Sequence, residues 1–246
     1  MSYLQGVTYF LADTGLPEEF PGVPYPRAGV RVAFDIDKFV AGQGESSFGA
    51  PNHPATDGAG LVVHEDPINV ESWPCRLWRV DDLVDVVRLA PSNRWLRCGA
   101  LTVYEELPGW LVMGPRGHAV VAVIEQARAL TNEKVRAIAA IEGREEQDLY
   151  KALWDRWLRT HEAGSPVGSG LSAVSRAVEE AARQVGDESL FVWDEEDEVE
   201  VLADPAWRHG RQAALAAALS VGAPDVLDAS ENEELAKRWR TIVGLP

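Results

Sequence analysis

Residues 101–130, LTVYEELPGWLVMGPRGHAVVAVIEQARAL, contain the change of pattern that decides the fold. Leu101 to Glu105 reads as a strand, rich in β-branched and aromatic side chains and closed by Pro108. After Gly114 the period changes. Val120, Ile124, Ala127 and Leu130 recur at helical spacing and fall on one face, and Thr131 is placed to cap a second helix, TNEKVRAIAAIEG. Gly114 therefore divides a sheet-forming half from a helix-forming half.

Upstream of that break, short apolar runs at Val7 to Leu11, Val30 to Phe34, Leu61 to His64, Arg76 to Val80 and Val84 to Leu89 predict further strands. The four prolines of LPEEFPGVPYPRAG make the segment after the first strand a loop, and residues 43–60 are a long loop by composition. Downstream, EEQDLYKALWDRWLRTHEAG predicts a helix with Leu149, Leu153, Trp154 and Trp157 on its apolar stripe. Gly164 to Gly170 reads as a linker, followed by the helix LSAVSRAVEEAARQVG, the run LFVW and the acidic stretch DEEDEVE. Asp204 and Pro205 have the chemistry of N-cap and first helical residue for a helix ending at Gly222. Ser230 and Glu233 have the spacing of a capping box for the last one. The expected fold is α+β, a mixed or antiparallel N-terminal sheet followed by a helical half. The expected parts are residues 1–114 as a β-rich unit, 115–163 as helices packing on the sheet, and 171–246 as a helical subdomain.

A chain of 246 residues with 46% hydrophobic side chains can fill a proper core. Its net charge of −16 is shared, with 16 carboxylates against 9 basic residues up to Glu125 and 23 against 14 after it. Nucleic acids and anionic membranes draw affinity from clustered Lys and Arg, so this balance argues against both and leaves small molecules and basic proteins as partners. No stretch reaches the roughly 18 apolar residues of a membrane span. The N-terminus lacks a basic region followed by an apolar core, and two unpatterned cysteines suit a reducing compartment. These features predict a cytoplasmic protein, with oligomeric state left open.

Glu105 and Glu106 stand at a strand end, where hydrolases and transferases set an acid or base, with Ser46 and Ser47 of the long loop as companions for holding a cofactor. No motif specifies which cofactor, and none is expected. His64 and Asp66 share a side of the extended chain and, with His53, form the one set with metal-ligand chemistry. Asp35-Ile36-Asp37 after a strand resembles the nucleophile and acid of haloacid-dehalogenase-type phosphotransferases, although Lys38 and Phe39 depart from that pattern. Tryptophans 78, 95, 154, 157 and 239 read as core aromatics.

The run from Gly58 to about Thr131 carries a strand ending before Pro67, an R-x-x-x-V strand (Arg76 to Val80) and L-T-V-x-x-E-L (Leu101 to Leu107). In this it is similar to a group of uncharacterised actinobacterial and phage proteins, which implies no activity. More distantly, Leu61 to Pro67 followed by a strand-end Glu resembles the ADP-ribosyltransferase-like fold. That resemblance implies Glu105 or Glu106 as the catalytic acid, with Val62 where that fold has Tyr. The leading expectation is an acidic binding or regulatory protein that works through a protein partner. An ADP-ribosyltransferase-like enzyme comes second, and a metal-dependent hydrolase at His64 and Asp66 third.

Overall fold

Six strands pair antiparallel in the order β2-β6-β4-β1-β3-β5, and the two longest lie side by side near the middle. They are β1 (Tyr9–Asp13), β2 (Arg31–Ala33), β3 (Leu61–His64), β4 (Arg76–Val84), β5 (Trp95–Cys98) and β6 (Ala100–Leu107). The computed structural model describes residues 8–13, 26–34, 60–70, 73–88, 95–141, 166–195, 198–223 and 228–246, with four positions between 148 and 155. The chain forms two units, Met1–Val112 and Met113–Pro246.

Alternation along the strands assigns one face of the sheet to a core. Tyr9, Leu11, Val32, Leu61, Val63, Trp78, Val80, Leu96, Cys98, Leu101 and Val103 pack there as one buried cluster. The intervening Phe10, Val62, His64, Arg79 and Arg97 take the other face. Two irregularities break the β4–β6 ladder. Arg79 pairs with Glu105 but Val80 with Val103, so Tyr104 is an extra residue on β6. Further on, Asp81 pairs with Thr102 and Val84 with Ala100, and Asp82 takes the slack at φ 51°.

The α+β class stands, with three differences in the sheet. β4 runs unbroken from Arg76 to Val84, so the separate strand expected at Val84 to Leu89 reduces to one bridge between Val87 and Arg97. β5 was not expected, because it is only four residues long and Arg94 and Arg97 interrupt its apolar pattern. The first strand lies two residues later than its apolar run suggested. Cys75 and Cys98 are both free, and Cys98 sits on an edge strand separated from β4 by two intervening strands.

In the second unit, α1 (Gly117–Arg128), α2 (Asn132–Ala140), α3 (Pro166–Gln184), α4 (Pro205–Gly222) and α5 (Ala229–Ile242) pack together, with the hairpin β7 (Phe191–Asp194) and β8 (Val199–Leu202) between α3 and α4 in the chain. The four side chains expected on one face of α1 are buried, and Thr131 accepts the Lys134 N–H as its cap bond. α4 contacts α1, α2, α3 and α5. Its alanines 213, 214, 216, 217 and 218 are buried, because a methyl side chain lets neighbouring backbones come close on several sides. Two tryptophans are buried with their N–H groups satisfied: Trp207 Nε1 donates to Asn132 Oδ1 at 2.8 Å and Trp239 Nε1 to Gln126 Oε1 at 3.0 Å.

Gly170 corrects the linker expected at Gly164 to Gly170. Residues from Pro166 onward are the first turns of α3, and a Cβ on Gly170 would stand 2.7 Å from Val120 Cγ1 and 3.3 Å from Met113 Sδ. The glycine permits close contact with α1 and marks no flexible joint. The capping box of α5 is also shifted. Asp228 Oδ1 accepts the Glu231 N–H at 2.8 Å and Glu231 Oε2 accepts the Asp228 N–H at 3.1 Å, so Ser230 already lies inside the helix. The cap on α4 is as expected, with Asp204 Oδ1 accepting the Trp207 N–H at 2.9 Å and Pro205 at the first position. The predicted helix through Trp154 and Trp157 falls largely outside the described residues.

Candidate functional site

The β4–β6 ladder fixes the two strand-end glutamates. Glu106 lies directly across from Trp78, and Arg76, two residues before Trp78, has its guanidinium 4.6 Å over that ring. From there Arg76 Nε and Nη2 each donate to one Glu106 carboxylate oxygen at 2.9 Å, a two-pronged pair. These bonds hold the Glu106 carboxyl below the usual glutamate range. Glu105, across from Arg79, has its Oε1 3.0 Å from Arg79 Nε, and Arg79 also lies 5.4 Å over the Tyr104 ring. A shallow cavity of about 190 Å³ beside this pair is lined by Thr8, Arg79, Val80, Asp81 and Tyr104. Both glutamates are about half exposed and each is engaged by an arginine of the adjoining strand. Such pairs orient the side chains, and in water each contributes little to stability.

Asp66 is occupied locally. Its Oδ1 accepts the Ile68 N–H at 3.0 Å and caps the single turn Pro67–Asn69. His64, at the end of β3, pairs with Phe10 and Trp95; its Nδ1 is buried without a partner among the described residues, and burial holds its pKa below the ordinary imidazole value. Among the described residues no three His, Cys, Asp or Glu side chains converge as a metal site would need. His53, Ser46, Ser47 and the pair Asp35 and Asp37 lie outside the described residues. Cys98 is buried, which pushes its thiol up to about 12 and removes it as a nucleophile at neutral pH.

The second unit carries the feature that the sequence did not disclose. Phe191 pairs with Leu202, Val192 with Val201, Trp193 with Glu200 and Asp194 with Val199. One face of the hairpin therefore carries Phe191, Trp193, Glu200 and Leu202, and the other Val192, Asp194, Val199 and Val201. Leu202 is buried at the root, and Arg183 of α3 covers Phe191 at 4.4 Å while its Nη1 lies 2.8 Å from Glu200 Oε2. Trp193 is left beyond this cover at 61% exposure, with Val192 at 52% and Val199 at 47%. The segment that carries them is acidic: Asp187 to Asp204 contains nine Asp or Glu and no Lys or Arg. Asp187 is tied down by its bonds from the Ser189 hydroxyl and N–H, which hold its carboxyl below the usual range.

The signal for the hairpin was present as two β-branched runs flanking an acidic stretch. The usual Gly or Asn turn pair was missing, because Glu198 adopts the left-handed conformation, at φ 54°, that such residues normally supply. Among the described residues, no helix is long and apolar enough to cross a membrane. No protein-family model, curated protein or solved structure matches this chain.

Proposed function

We propose that this protein is a binding or regulatory protein that works through a protein partner, with the β7–β8 hairpin as its docking element. The observation that carries the reading is Trp193, an aromatic ring left 61% exposed on one face of a hairpin whose other face exposes Val192 and Val199, in a segment rich in Asp and Glu. Large apolar side chains left in water are unfavourable in the free protein and become favourable when a partner covers them, and Trp is among the residues most enriched at interaction hot spots. The acidic surround selects for a basic partner and speeds its encounter. By contrast, Glu105 and Glu106 are each about half exposed and engaged by an arginine of β4, and neither carboxylate lines the cavity beside Arg79, so the ADP-ribosyltransferase-like reading gains no support from their geometry.

The test is recovery from the native host of tagged wild-type protein and of Val192→Ser/Trp193→Ser, with quantitative mass spectrometry of what accompanies each. A protein present in comparable amount with the wild type and depleted at least about tenfold with the variant supports the reading. Equal recovery with both removes the hairpin from it, and no accompanying protein removes the reading itself.

A further inference from the structure

We infer that the partner segment is an extended, Lys- or Arg-bearing strand that adds to the open edge of β7. This rests on the hairpin being the docking element and specifies how it docks. The phase of the hairpin ladder follows from one bond. Ala203 N–H donates to the Leu190 carbonyl at 2.8 Å, so Leu190–Ala203 is a hydrogen-bonded position, and the phase alternates from there. Val192–Val201 and Asp194–Val199 are then the positions that bond across the hairpin, whereas Phe191 and Trp193 direct their backbone groups away from β8. The Phe191 N–H is used by the turn before it, where it donates to Glu188. The Phe191 carbonyl, the Trp193 N–H and the Trp193 carbonyl remain on the outer edge, and no strand among the described residues pairs there. An added strand meets these three groups and lies between Val192 on one face and Trp193 on the other, the two most exposed large apolar side chains of β7. Backbone bonds supply its affinity and alternate side chains its selectivity.

Charge selects the occupant. Acidic residues along an edge blunt it against like strands, so a second copy, which would bring nine carboxylates against nine, is disfavoured. The same charges leave the edge open to a cationic strand, whose Lys or Arg also finds the Trp193 ring as a cation–π surface.

The probe is the capped peptide of alternating Lys and Val, seven residues long, titrated by calorimetry into the full chain. Three controls accompany it: the same peptide N-methylated at alternate residues, its Glu-Val counterpart, and the protein variants Trp193→Ser and Trp193→Pro. Proline at an edge position deletes the outward N–H and leaves the bonds to β8 in place, and circular dichroism confirms that both variants stay folded. The expected results are binding that weakens with salt, a loss of about tenfold or more on N-methylation, no binding of the Glu-Val peptide, and a larger loss for Trp193→Pro than for Trp193→Ser. Equal binding of the parent and N-methylated peptides overturns strand addition, as does no heat with the parent at millimolar concentration, or self-association of the protein alone in sedimentation. A host protein that is lost with the serine variant while the peptides show no backbone dependence defeats strand addition and spares the docking reading. Backbone-dependent peptide binding without any host partner does the reverse.

Discussion

Gly210→Ala sets two opposing effects against each other inside α4. Alanine in a helix interior is favoured over glycine by about 1 kcal/mol, so on local grounds the substitution stabilises. At this position, however, the new Cβ would stand 2.8 Å from Val135 Cγ1 and 3.4 Å from Val135 Cβ. Val135 is buried in α2 and branched at Cβ, so it has no flexible end to swing away. Relief requires a shift of α2 against α4, and over-packing of this kind costs about 1–3 kcal/mol. The net expectation is a loss of roughly 1 kcal/mol, against a gain of about 1 kcal/mol if the contact were slack. Val135→Ala separates the two. Removing the valine methyls costs roughly 2 kcal/mol alone, yet in that background the 2.8 Å clash is gone, Gly210→Ala meets only the remaining Cβ at 3.4 Å and Leu130 Cδ1 at 3.9 Å, and its helical gain is largely recovered. Urea unfolding of the full chain, followed by far-UV circular dichroism on wild type, both single variants and the double, closes the cycle. A coupling near zero, or a Gly210→Ala protein more stable than wild type, would refute the close approach of α2 and α4.

Four further outcomes are expected. Asp204→Ala and Asp228→Ala should each lower stability by about 1 kcal/mol through loss of an N-cap acceptor, and equal urea midpoints for wild type and either variant would remove that cap. Arg76→Met should raise the Glu106 carboxyl pKa toward the ordinary glutamate value, read by NMR titration, because the bonds that depress it are gone. Native protein in mildly alkaline buffer should leave Cys98 unmodified by a thiol reagent, and labelling of Cys98 before unfolding would contradict its burial. His209 has its pKa lowered by burial, then by Arg238 and Arg208, so the unfolded chain binds its proton more readily. Its stabilising contribution is complete above the unfolded value of about 6.5 and is lost as pH falls through the folded one. His209→Gln should flatten that part of the stability profile measured by urea midpoints.

Legibility in the sequence followed the range of the interaction. The cap at Asp204, the cap at Thr131 and the buried face of α1 depend on neighbours within one or two helical turns, and each stands where the residue pattern placed it. Gly170 misled because its reason for being glycine lies fifty residues away, on Val120. The capping box slipped by two residues because Asp228 and Ser230 both satisfy the pattern, and only the paired bonds of Asp228 and Glu231 choose between them. At the candidate sites, the carboxylates of Glu105 and Glu106 were visible, but their arginines come from β4, thirty residues earlier for Arg76, through a register that the bulge at Tyr104 sets. Trp193 was overlooked for a different reason. Its neighbours look like any strand, and only the shortness of the hairpin, with Arg183 covering Phe191 and reaching no further, leaves that one ring bare.

The central place of α4 bears on how this unit is made. α2 follows α1 directly in the chain, yet it packs against α4 and α5, whose residues are synthesised some seventy to a hundred positions later. On the ribosome, Val135 and Ile138 therefore lack their α4 and α5 neighbours while α3 and the whole acidic hairpin are added. Among the described helices, α1 and α3 can pair in the meantime. Completion of this core is a late, single event triggered by the emergence of one alanine-rich helix, and the nascent chain is most exposed to chaperones and proteases just before that helix appears.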